Sequence, residues 1–97
     1  MSIITINKLN ELITEILYYY DPAGLAALYV PEDEYEPEAR AIIKHLKDVR
    51  DMRSLGWIVY EVFEDFFAKD MILPSSDKCY RFIAEEIWEV WQEAIES

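Results

Sequence analysis

Apolar residues return every three or four positions along most of this chain, a spacing that a helix buries on one side. Ile6, Leu9, Leu12, Ile13, Ile16, Leu17 and Tyr20 show it first. At about 100° per residue they share one face roughly 140° wide, with Lys8, Asn10, Glu11, Thr14 and Glu15 elsewhere. The spacing predicts a helix over residues 6–20. No alternating apolar–polar run of useful length competes with it, so the chain reads as all-α.

Prolines punctuate the pattern. The stretch from Asp21 to Glu36 opens on Asp21-Pro22, is divided by Val30-Pro31 and closes on Glu36-Pro37. Asp can cap a helix and Pro is preset for its first position, so a short helical turn is expected over Pro22–Tyr29. Pro37 starts the second main helix, with Ala39, Ile42, Ile43, Leu46 and Val49 as its buried stripe. Its acidic beginning (Glu36, Glu38) and basic later turns (Arg40, Lys44, Lys47, Arg50) complement the helix dipole. Ser54 is a good cap for a third helix over residues 55–69, carrying Leu55, Ile58, Val59, Val62, Phe63, Phe66 and Phe67. Pro74, Ser75 and Ser76 break the chain, and a fourth helix runs from Asp77 to Glu96. The expected architecture is a compact bundle of four main helices with one short extra turn, in a single domain over residues 1–97.

The apolar arcs differ in width. The fourth helix spreads Cys79, Tyr80, Ile83, Ala84, Ile87, Trp88, Val90, Trp91, Ala94 and Ile95 over roughly 180°. Either the third and fourth helices form a central pair covered on both sides, or one edge of the fourth stays partly uncovered. That edge would carry Trp88, Trp91 and Ile95, an anchor set for a dimer or a partner.

Charge narrows the function. Twenty Asp and Glu face nine Lys and Arg, a formal net charge of −11. Phosphate backbones are bound by neutralising them with cations, so nucleic-acid binding is disfavoured, and an anionic membrane surface would repel the chain. The field favours encounter with a basic protein, or serves only to keep the chain soluble. The first residues lack a basic, apolar leader, no apolar run approaches a membrane span, and a lone cysteine reports no oxidising compartment; the cytoplasm is the expected location.

Catalytic chemistry is thin. No phosphate-binding loop, dinucleotide turn or nucleophile elbow is present. His45 is the one histidine and sits at the edge of the second helix's stripe, where a packing or boundary role is expected. Cys79 falls in phase with Ile83 and Val90 and reads as a small core residue. The densest acidic run, Glu32-Asp33-Glu34-Tyr35-Glu36-Pro37-Glu38, lacks the alternation and central glycine of a calcium loop. No catalytic residue, cofactor or metal ligand is therefore assigned. The run reads as a surface loop able to attract Arg and Lys through Glu32, Asp33, Glu34 and Glu36. In Tyr18-Tyr19-Tyr20 the three side chains point in three directions; Tyr20 joins the core face and Tyr18 lies opposite, beside the acidic connector. Exposed there, it would add a contact surface; irregular packing against the connector is the alternative.

Asp21-Pro22-x-Gly24, followed by Pro31-x-Asp33-Glu34-Tyr35, Glu38 and Ile42, resembles a family of small bacterial helical proteins of unknown function. Similar phrasing occurs in small immunity partners of bacterial toxins. The resemblance covers residues 9–45, with Ala23 where the family often has isoleucine and Glu36 where it often has aspartate. It implies a compact helical bundle without known catalysis. It also suggests structural roles: Asp21 capping, Pro22 starting a turn, Gly24 permitting a tight backbone and Tyr35 packing over the first helix.

The expected function is that of a non-enzymatic, acidic interaction protein, immunity-like, that binds a basic partner through Tyr18, the acidic loop and Trp88 with Trp91. A self-associating bundle, with a homodimer on the fourth helix, is the alternative; a divalent-metal protein ranks below both.

Overall fold

Thr5 opens the first helix, α1 (Ile6–Tyr20): its hydroxyl accepts the Lys8 N–H at 3.1 Å, satisfying one of the donors that a helix start leaves free. The computed structural model describes residues 5–24 and 32–96, with residues 32, 33, 95 and 96 by their backbone alone. The turn expected over Pro22–Tyr29 lies mostly outside the described residues, as do Pro31 and the side chains of Glu32, Asp33 and Ile95. α2 (Glu36–Leu46) follows a single 3₁₀ turn at Glu32–Tyr35 and has Pro37 in its first turn. α3 is Met52–Phe66 and α4 is Lys78–Glu96, joined by a connector with a 3₁₀ turn at Lys69–Met71. No strand occurs among the described residues.

α3 begins and ends one turn earlier than its sequence suggests. Asp51, not Ser54, is the cap, and its Oδ1 accepts the Ser54 N–H at 2.7 Å. A carboxylate meets the positive end of the helix dipole better than a hydroxyl, so Asp51 wins and Ser54 becomes the residue it caps. At the other end Phe67 turns extended (φ −133°, ψ 155°) and stacks on Phe63 with ring centres 5.8 Å apart. That inward turn stops the helix short of residue 69.

Each helix packs against two others. α3 lies on α4, α4 on α1, α1 on α2 and α2 on α3, closing a four-membered ring around one core. Leu9, Ile13 and Leu17 from α1 meet Ala39, Ile42 and Leu46 from α2 there. Leu55, Val59 and Phe63 from α3 and Ile83, Ala84 and Ile87 from α4 complete it. The Cα radius of gyration is 12.8 Å, near the roughly 12.5 Å expected of a compact chain of this length. α4 is covered on two sides, which accounts for its broad apolar arc: Trp88, Val90 and Trp91 pack half-buried against the core. Ile6, counted in the α1 stripe, is instead 65% exposed at the helix start.

The Asp21-Pro22-x-Gly24 and Tyr35 motifs meet. Asp21 ends α1 in the left-handed region (φ 52°), its N–H donating to Leu17 O at 2.8 Å. Gly24, at φ 70°, takes the second left-handed position, and its N–H donates to Asp21 O at 3.0 Å. Tyr35 is fully buried, stands edge-on to Phe63 and donates its hydroxyl to Asp21 Oδ1 at 2.7 Å. The same hydroxyl accepts the Ala23 N–H at 3.2 Å. The clasp extends further: Leu73 N–H donates to Pro22 O at 3.1 Å, and Tyr80 Oη donates to Leu73 O at 2.6 Å. One hydrogen-bonded chain thus ties the end of α1 to the α3–α4 connector and on to α4. Asp21 caps the C-terminus of α1.

Candidate functional site

Exposed side chains run in rows along α1 and α4, two helices that pack against each other. Glu11, Glu15 and Tyr19 stand four residues apart on α1, all exposed. Phe82, Glu86, Glu89 and Glu93 follow at helical spacing on α4, also exposed. Tyr20 joins the rows. Its hydroxyl donates to the Glu86 carboxylate, its ring stacks near Phe82 at 6.4 Å, and Tyr19 stands edge-on to it at 5.0 Å. The hydrogen bond to Glu86, then burial and the Glu86 charge, push the Tyr20 hydroxyl up to about 12, so it stays protonated and donates to the carboxylate.

Little cancels this negative charge. Among the described residues, three ion pairs form: Lys8–Glu11 at 3.6 Å, Arg40–Glu36, and Lys69–Glu64 at 3.3 Å. Lys8–Glu11 touches one end of the seam, and the Arg81 guanidinium lies 5.5 Å from the Phe82 ring centre at the other. Between them Glu15, Glu86, Glu89 and Glu93 form no ion pair. Aromatic faces flanked by carboxylates offer a guanidinium both a planar surface and charge-assisted acceptors.

No family model, curated protein or solved structure matches this chain.

The residues singled out in the sequence fall partly elsewhere. Tyr18 is half-buried against the core, and Tyr19, 79% exposed, is the outward tyrosine. The reason is that α1 is covered by α4 on one side and by α2 with its preceding 3₁₀ turn on the other. Thr14, one turn before Tyr18, is 7% exposed and marks that second contact. Trp88 and Trp91 are half-buried; the outward tryptophan is Trp57, 55% exposed on α3. Trp57 lies off the Leu55–Val59–Val62 stripe, and that phase was the available signal. His45, expected in a packing or boundary role, is exposed in the last turn of α2, so it does not pack in the core.

The acidic loop is divided rather than continuous. Glu34 is exposed, Glu36 pairs with Arg40, and Glu38 turns inward to 4% exposure. One Glu38 carboxylate oxygen is buried without a hydrogen-bond partner. Burial, with the nearby Glu34 charge, raises its pKa above the ordinary carboxylate value, against some relief from its own backbone N–H. Among the described residues no group of three or more His, Cys, Asp and Glu is arranged to hold a metal ion. Cys79 is buried, and burial with the adjacent Asp77 pushes its thiol up to about 12, the opposite of a reactive cysteine. No helix of the described residues is long and apolar enough to cross a membrane.

Proposed function

We propose that this protein is a non-enzymatic interaction protein that docks the α1–α4 seam onto a basic protein surface, in the manner of an immunity protein neutralising a cationic toxin. The observation that carries this reading is the cluster of exposed Tyr19, Phe82 and Glu86 around half-buried Tyr20, in a region whose carboxylates ion pairs leave largely uncancelled. Tyrosine and phenylalanine supply contact area at low entropic cost, and glutamates supply acceptors for Arg and Lys. A net charge of −11 speeds the encounter, and the aromatic cluster gives it a register. Self-association through Trp88 and Trp91 has weaker support, because both rings already pack against the core of their own chain.

Affinity capture tests the proposal. The bait would be the wild-type chain, a Glu86→Lys/Glu89→Lys variant and a Tyr19→Ala variant, at about 50 mM and about 200 mM salt. A basic protein captured by the wild type, weakened by salt and lost in both variants, is the expected result. Capture that ignores salt and both variants, or follows Glu34→Lys instead, would place the contact elsewhere.

A further inference from the structure

A cleft of about 580 Å³ opens between the first half of α3 and the start of α4. Its walls are aromatic and cationic: Trp57, Tyr60 and Tyr80 with Arg53, Lys78 and Arg81. Three of the chain's nine cations are gathered there, and among the described residues none of the three forms an ion pair. Two carboxylates, Asp77 and Glu85, also line it, with Asp77 accepting the Cys79 N–H at 2.9 Å, so the lining cations exceed the carboxylates by one. The local balance is therefore positive in a strongly negative protein. The first turn of α4 opens on the same space and adds partial charge of that sign.

Gly56 lies in the cleft wall, within α3, where glycine is less favourable than alanine. Helix packing does not demand it. A Cβ at Gly56 would sit 3.9 Å from both Ala84 Cβ and Tyr80 O, ordinary contact distance, and no left-handed backbone is involved. Gly56 lines the cleft next to Trp57 without a side chain of its own. Tyr60 and Tyr80 stand edge to face at 5.2 Å, and the Tyr80 hydroxyl is tied to Leu73 O, so this wall is held in place before any ligand arrives.

We propose that the α3–α4 cleft binds a small aromatic carboxylate, its ring against Trp57 and Tyr60 and its charge beside Arg53 and Lys78. The volume lies within the range of small-molecule sites. The sign of the ligand is the informative point: the protein as a whole repels anions, so a preference for an anion can come only from a local site. The proposal stands independently of the seam's role.

The test is a titration of ¹⁵N-labelled protein with 2-naphthoate and, separately, with the similarly shaped naphthylmethylammonium. The expected result is saturable shifts at Gly56, the Trp57 indole and Tyr80, with the carboxylate binding about tenfold more tightly than the ammonium. Arg53→Glu/Lys78→Glu, which leaves Arg81 on Phe82 and so spares the seam, should reverse that preference. Gly56→Leu should block both probes; should that variant fail to fold by circular dichroism, Trp57→Ala takes its place and should weaken both. No saturation by about 5 mM naphthoate, equal or tighter binding of the ammonium, shifts outside the cleft, or a preference unchanged by the charge reversal would overturn the proposal.

Discussion

α4 presents two unlike faces along its first half. Toward α1 it offers Phe82 and Glu86, joined to Tyr20 and bordered by carboxylates. Toward α3 it offers Lys78 and Arg81, set around aromatic walls with Arg53. Aromatic rings are common to both faces, and the sign of the surrounding charge separates them. A net charge of −11 describes neither. The lesson is that charge in a small bundle is a property of seams between helices: each seam collects charges from two helices, and neighbouring seams can differ in sign. The negative seam suits a cationic protein, and the positive cleft suits a small anion.

The comparison breaks most severely if the shared core beneath both faces is emptied. Ile83 is fully buried on α4, so Ile83→Ala should cost about 2–5 kcal/mol, read as a fall in the chemical-denaturation midpoint, and should loosen both faces together. Loss of one face with the other intact would show that the two do not share a support.

Tyr35→Phe should act at a smaller scale. It removes the hydroxyl that bridges Asp21 and Ala23, for an expected loss of about 1–2 kcal/mol. The clasp holds the end of α1, where Tyr19 and Tyr20 sit, so amide shifts should move at the seam first. The cleft, reached only through Pro22, Leu73 and Tyr80, should follow less. Larger shifts at Trp57 than at Tyr20 would reverse that order.

Glu38→Gln should have the smallest effect and touch neither face. Burial raises the folded-state pKa of Glu38, so the protonated form contributes stability below the ordinary carboxylate pKa. That contribution is lost as pH rises through the raised value. The neutral amide should therefore stabilise the protein near pH 7 by about 0.5 kcal/mol, with the advantage shrinking in acid. A destabilised variant at neutral pH would mean that the ionised carboxylate has a favourable role in the fold.

Much of the fold was legible in the sequence because amphipathic spacing is a local signal. Ile6–Tyr20 has the limits its periodicity predicts, and α4 begins within one residue of them. α3 was placed a turn late because Asp51 and Ser54 both qualify as caps, and charge decided between them. The motif residues stand out in the sequence, but not that Tyr35 and Asp21 bond each other across 14 residues. The site was harder to read. Tyr18 and Tyr19 differ by one step of 100°, and which is exposed depends on the second neighbour of α1, a tertiary fact. Glu38 looked like one more loop acid until helix phase turned it inward, and Trp57 carried a readable signal in its distance from the α3 stripe.

The most direct test of the seam is an amide-shift titration of the wild-type protein with a short peptide alternating arginine and tryptophan. Saturable shifts concentrated at Tyr19, Tyr20, Phe82 and Glu86, removed by Glu86→Lys/Glu89→Lys, are the expected result. Shifts spread evenly over exposed acids far from the seam, such as Glu34, Glu61 and Asp65, would contradict it, for the peptide would then be answering net charge alone.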